Sequence, residues 1–398
     1  MKLKNVCLII IPLFIFFSLF CIQIKEVYAE NNESIETQLE ENIDSQLNNI
    51  DFTDIDEILN NLNNGSESIF NSNKLRDKIT EIIGGNFTGG FTDIFKYILN
   101  SIFDLILQYL PILASILAIA IIGSIMQSLK SGFAGKATGE VINFVLVGII
   151  VILCANVLKD LVLLTTNTIN TIKTQMEIIF PILLTLMSAM GGAVAVKVYR
   201  PAIAVLCSIV VHIFSNIIIP IFTASSIFNI VGNISSGIKL NKFVQFFNSL
   251  SKYIIATTFT IFIAFLSLQG ITASMFDGIH IRTAKFAVKS YVPILGGYLS
   301  DGFDLILSSS LMIKNAIGVG GLVLLICSIL FPIIKIVILG FGFKLVSAII
   351  EPICDSKISS LISSIAKSLS MLTASILAVA FMYFLTIGLI ICTSNAII

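Results

Sequence analysis

From about residue 101 to the carboxyl end, the chain is a succession of long apolar runs, the first from Ile102 to Met126, separated by short polar interruptions. A helix needs about 20 apolar residues to cross the ~30 Å hydrocarbon core of a bilayer. Only helices and closed barrels satisfy every backbone polar group in lipid, and long runs rather than alternating decamers select helices. The expected fold class is therefore all-α, a polytopic helical integral membrane protein. Candidate spans fall at about 102–126, 141–164, 177–196, 202–222, 253–276, 292–312, 317–343 and 370–394. That makes eight, within a range of six to nine.

Composition agrees, with 56% hydrophobic and 12% charged residues and a formal net charge of zero. That zero is an average over unlike parts. Residues 30–100 carry 14 acidic and 4 basic residues, whereas 101–398 carry 9 acidic and 17 basic. No concentrated basic face with interleaved aromatics exists, which sets nucleic acid aside as a partner. Seven cysteines form no CxxC pair and two histidines supply little imidazole, so no metal site or disulfide framework is expected. Walker A, HExxH and dinucleotide-binding patterns are absent from the sequence, which points to no cofactor and no enzymatic activity.

The amino terminus reads as a signal peptide over residues 1–29: Lys2 and Lys4 precede an apolar run from Val6 to Phe20, and Val27-Tyr28-Ala29 has a small-residue cleavage pattern. An uncleaved anchor is the alternative, and either one exports the segment after it. Residues 30–100 form an acidic segment in which Ile35, Leu39, Ile43 and Leu47 recur at amphipathic helical spacing. Gly65 and the glycines around residues 84–90 interrupt it, so the segment is expected to be partly helical or disordered. It is either a spacer or a docking surface. The membrane domain then occupies 101–398. Asp51, Asp54, Asp56 and Glu57 lack the glycine and ligand spacing of an EF-hand.

With an exported start, the eight-span path puts Lys130 and Lys136, Lys197 and Arg200, then Arg282, Lys285 and Lys289, and finally Lys357 and Lys367 on the cytoplasmic side, as the positive-inside bias requires. Lys239, Lys242 and Lys252 disagree, which suggests a re-entrant loop or a miscounted span. Three proline-led stretches recur around Pro111, Pro181 and Pro293, the last two near Gly191-Gly192 and Gly296-Gly297. They mark helix breaks or close small-residue packing.

The stretch Gly296 to Ser310, together with Lys314, mixes lipid-like and water-like chemistry. Gly297, Asp301, Asp304 and Ser308 share one helical face. An ionised aspartate facing lipid is costly, so this face should line a conduit, lie at the membrane edge or pair with Lys314.

These residues carry a specific resemblance. Tyr291 to Asp304, continuing through Leu311 to Gly318, with Phe180 to Gly192 in support, resembles the stage III sporulation protein AE family over essentially the whole chain. The resemblance implies a non-enzymatic component of a channel or secretion-like complex in the mother-cell membrane around the forespore, needed for late forespore gene expression. It also implies partners: other stage III sporulation membrane proteins of the same operon and, through them, a forespore membrane partner. It supplies no catalytic residues. An independent ion-coupled permease and a structural anchor for partner rings are the alternative readings.

Overall fold

The computed structural model describes residues 42–48, 53, 91–133, 136–190, 193–234, 240–291, 296–354 and 356–395. Among them there is no strand. Helix α1 spans residues 42–48. After it come α2 (Phe91–Phe133), α3 (Lys136–Ala189), α4 (Ala193–Ile213), a π turn (Phe214–Ile218), α5 (Ile219–Ile234), α6 (Asn241–Tyr291), α7 (Gly296–Ile350) and α8 (Ser356–Asn395). Among the described residues, six stretches are long and apolar enough to cross a membrane: Leu99–Met126, Phe144–Ala189, Tyr199–Asn233, Asn241–Leu268, Asp304–Ile350 and Lys357–Cys392. The chain is a multi-spanning helical membrane bundle. The expected signal peptide lies outside the described residues, as do most of the acidic segment, Gly191, Gly192 and Pro293.

Eight hydropathic segments thus become six helical stretches, because two pairs fuse. The polar residues between 164 and 177 read as a loop, yet they are the middle of α3. Their hydroxyls return to the helix: Thr165 Oγ1 donates to the Leu161 carbonyl at 2.8 Å and Thr168 Oγ1 to that of Leu164 at 2.8 Å. Threonine satisfied in this way costs little inside a helix, so a hydropathy dip need not break one. Likewise, Lys314 and Asn315 do not divide the segments 292–312 and 317–343, both of which belong largely to α7.

Side-chain contacts fix the directions of the helices. Tyr109 lies under the Lys335 ammonium, 5.3 Å from ring centroid to Nζ, and Cys354 Sγ donates to the Ala120 carbonyl at 3.2 Å. Helix α2 therefore runs parallel to the second half of α7. Gln175 meets Ser328 at 2.6 Å and Ile179 faces Gly321, so α3 runs antiparallel to α7. Helix α8 is also antiparallel to it, from the Ser347–Ser359 hydrogen bonds at one end to Ile391 against Gly318 at the other. Ser360 Oγ donates to Asn233 Oδ1 at 2.7 Å, which puts the end of α5 beside the start of α8.

The charge assignment changes accordingly. With α3 as one pass, Lys197 and Arg200 move to the opposite end from the α2–α3 connection, and Lys242 at the start of α6 joins that connection's end. The recount relieves the disagreement at Lys242 and transfers it to Lys197 and Arg200, while Lys239 lies outside the described residues.

Close approach of helices rests on small residues. A Cβ placed on Gly318 would lie 2.6 Å from Ile391 Cδ1, and one on Gly342 would lie 2.5 Å from Leu113 Cδ1. Apolar lipid provides no hydrophobic drive between helices, so this contact is what holds them. Pro111 and Pro181 sit inside continuous helices and end neither. Ser115 and Thr185, one turn later, donate to the proline carbonyls at 2.7 and 2.8 Å.

Candidate functional site

The polar part of α7 divides into an outward and an inward face. Asp304 is exposed and Ser308 half-buried, while Ser309, Ser310 and Lys314 are buried. Asp301 belongs to the same helix, and Gly296 and Gly297 form its first turn. A six-residue step from Ser308 to Lys314 advances a helix by about 600°, which leaves the two side chains about 120° apart. The lysine is therefore not part of the Asp304 face, although both arise from one stretch.

Lys314 Nζ donates to the Ile391 carbonyl at 3.1 Å. Ile391 stands in the last turns of α8, one residue before the final four carbonyls, where the helix dipole is negative. A buried ammonium at this point acts as a cross-helix cap. Asn315, next to it, has a buried Oδ1 with no hydrogen-bond partner among the described residues.

Ser309 and Ser310 face helix α1. Gln46 Nε2 donates to Ser309 Oγ at 2.9 Å, and Ser310 Oγ donates to Gln46 Oε1 at 2.9 Å. One amide thus uses its donor and its acceptor on two adjacent hydroxyls. Ile43 and Leu47, one turn apart on the same helix, are 5% and 1% exposed. Their spacing was legible as an amphipathic pattern; Gln46 and its two serines were not, because no local rule pairs an acidic segment with a particular serine pair.

At the other end of the bundle, Ser124 Oγ donates to the Ile353 carbonyl beside Cys354. Burial pushes the Cys354 thiol up, and the hydrogen bond with Ser124 pulls it partly back. Among the described residues no group of three or more His, Cys, Asp or Glu side chains is placed to hold a metal ion.

Residues 73–394 match the family model of stage III sporulation protein AE. The chain belongs to that family. It is also 28% identical over 320 residues to the stage III sporulation protein AE of Bacillus subtilis (strain 168), covering 80% of each chain. No solved structure matches it. The stage III sporulation protein AE match takes in all six membrane-crossing stretches and the polar part of α7, while α1 precedes it. As a member of this family, the chain is a multi-pass membrane protein of sporulation.

Proposed function

We propose that this protein is a non-enzymatic core component of the channel-like complex between mother cell and forespore. It sits in the mother-cell membrane with its amino-terminal segment in the intermembrane space. The observation that carries this reading is the seating of α1 on α7 through Gln46, Ser309 and Ser310. An exported acidic segment tied to the polar end of a long membrane helix gives partner proteins a fixed surface at the mouth of the bundle. Asp301, Asp304 and Ser308 form the polar rim of that mouth, and Lys314 holds α8 against it. Pro293, Gly191, Gly192, Gly296 and Gly297 supply the breaks and close packing between long helices. The partners are other membrane proteins of the same sporulation operon and, through them, a forespore membrane protein.

The test is an Asp301→Asn/Asp304→Asn double variant in sporulating cells, scored for recovery of the assembled complex and for a late forespore transcription reporter. Intact assembly with a weakened reporter is expected for a rim. Normal assembly with a normal reporter overturns the rim role, and loss of assembly assigns these aspartates to anchoring.

A further inference from the structure

Helix α3 changes character along its outer face. Its first part exposes Phe144, Val145, Ile149 and Ile152, as a lipid-facing helix does. Beyond that, Asn156, Asp160, Asn167, Asn170, Thr174 and Glu177 are exposed, with Leu163 completing the series. The steps alternate four and three residues, which places all seven on one stripe. No hydrogen bond engages the side chains of Asn156, Asp160, Asn167 or Asn170 among the described residues.

The depth of this stripe is set by α7. Gln175 is bonded to Ser328 and the helices are antiparallel, so the roughly 29 Å from residue 156 to residue 175 lie beside about residues 328–347 of α7. Over that same length α7 exposes Phe331, Val337, Phe341 and Leu345. Helix α2, alongside through Tyr109 and Lys335, exposes Phe103, Leu107 and Leu110. These stretches also expose Asp104 and Gln108 on α2 and Lys344 on α7, but apolar side chains prevail on both, whereas α3 at this level presents mainly amides and a carboxylate. Amides and carboxylates are costly against lipid, so a stripe that is polar at all its positions but Leu163 is not a lipid surface.

We infer that α3 is the seam through which copies of this chain associate in the membrane, their polar stripes turned toward one another. Three properties select a second copy as the occupant. The alternating four-and-three spacing is that of helices meeting along a continuous seam. Copies inserted in one membrane share one direction, so like residues meet, and an asparagine amide, donor and acceptor at once, pairs with its own kind. Buried asparagines of this sort fix register in coiled coils. The charges balance as well: Lys159 neighbours Asp160, and Lys173 Nζ lies 3.5 Å from Glu177 Oε1, so identical faces carry both signs.

The test uses the full chain carrying a photo-crosslinking amino acid at residue 167 or 170, in native membranes, with residue 341 as the control. Crosslinked multiples of this chain are expected at 167 and 170 and not at 341. Crosslinks at 167 and 170 to a different protein, or to lipid, overturn the proposal. Native mass spectrometry from lipid nanodiscs supplies the second measurement. Multiples of the chain mass are expected, falling at least tenfold in an Asn167→Leu/Asn170→Leu variant of unchanged helix content. Single chains in the unaltered protein, or multiples that survive the double substitution, count against the seam. Neither arm depends on forespore transcription, so failure here is separable from failure of the channel role.

Discussion

Gln46 and Ser310 are 264 residues apart in sequence, yet the serine hydroxyl donates to the glutamine amide oxygen at 2.9 Å. This bond and its twin to Ser309 tie the amino-terminal segment to the longest helix of the bundle. Leu47→Asp should release α1, because it places a carboxylate where a leucine is 1% exposed. Losing a buried leucine side chain alone costs about 2–5 kcal/mol. Amide exchange over residues 43–47 should accelerate at least tenfold while α7 keeps its protection beyond residue 318. Unchanged exchange would show that α1 is not held by this contact.

Lys314 caps α8 through Ile391. Lys314→Met keeps the bulk and removes the donor, losing a charge-assisted hydrogen bond worth about 1.5–3 kcal/mol. Lys314→Glu should be worse, since it adds negative charge at the negative end of a helix. Thermal unfolding in detergent should rank the unaltered protein above Met and Met above Glu, with faster amide exchange in residues 391–395 for both variants. A Met variant as protected as the parent would remove the capping role.

Gly318 and Gly388 make a paired test of close packing. Ile391 crowds the first, whereas a Cβ on the second meets nothing within 4 Å. Gly318→Val should cost about 1–3 kcal/mol by overpacking, and Gly388→Ala should leave the unfolding midpoint in place or raise it slightly. Equal losses at both positions would contradict the helix contact described between α7 and α8.

Cysteine labelling reads the packing from another direction. Cys392 is exposed, while Cys154 and Cys207 are buried. Site-resolved alkylation of the folded protein should modify Cys392 first and spare the other two until unfolding. At Cys354, burial raises the thiol pKa, so the reactive thiolate is scarce near neutral pH and its population grows as pH climbs toward the raised value. Alkylation at this site should be slower than that of a free thiol and should accelerate with pH over a higher range. A rate at Cys354 equal to that of a free thiol near neutral pH would contradict its burial.

Hydropathy was enough to locate each of the six membrane-crossing stretches and to identify the helical class, although its spans left out 223–233, 241–252 and 357–369. It failed at Thr165–Gln175 and at Lys314, for one shared reason. A window average counts a hydroxyl or an ammonium as a break, whereas the helix satisfies Thr165 internally and α8 satisfies Lys314 from outside. Asp304 was legible as a residue that should face water, a basic partner or the membrane edge, and its side chain lies on the outside of the bundle. That Ser309, Ser310 and Lys314 turn the other way depends on which neighbours fill the interior, and sequence spacing does not carry that information.

The continuity of α7 has a mechanical consequence. From Lys314 to Ile350 the helix rises roughly 54 Å, almost twice the ~30 Å of hydrocarbon. A single helix cannot telescope, so the α1 seat at one end of this stretch keeps a fixed axial distance from the α7–α8 turn at the other. The number of residues between Lys314 and the α7–α8 turn works as a ruler. It sets how far along the helix axis the α1 seat stands from that turn, whatever the thickness of the lipid around it.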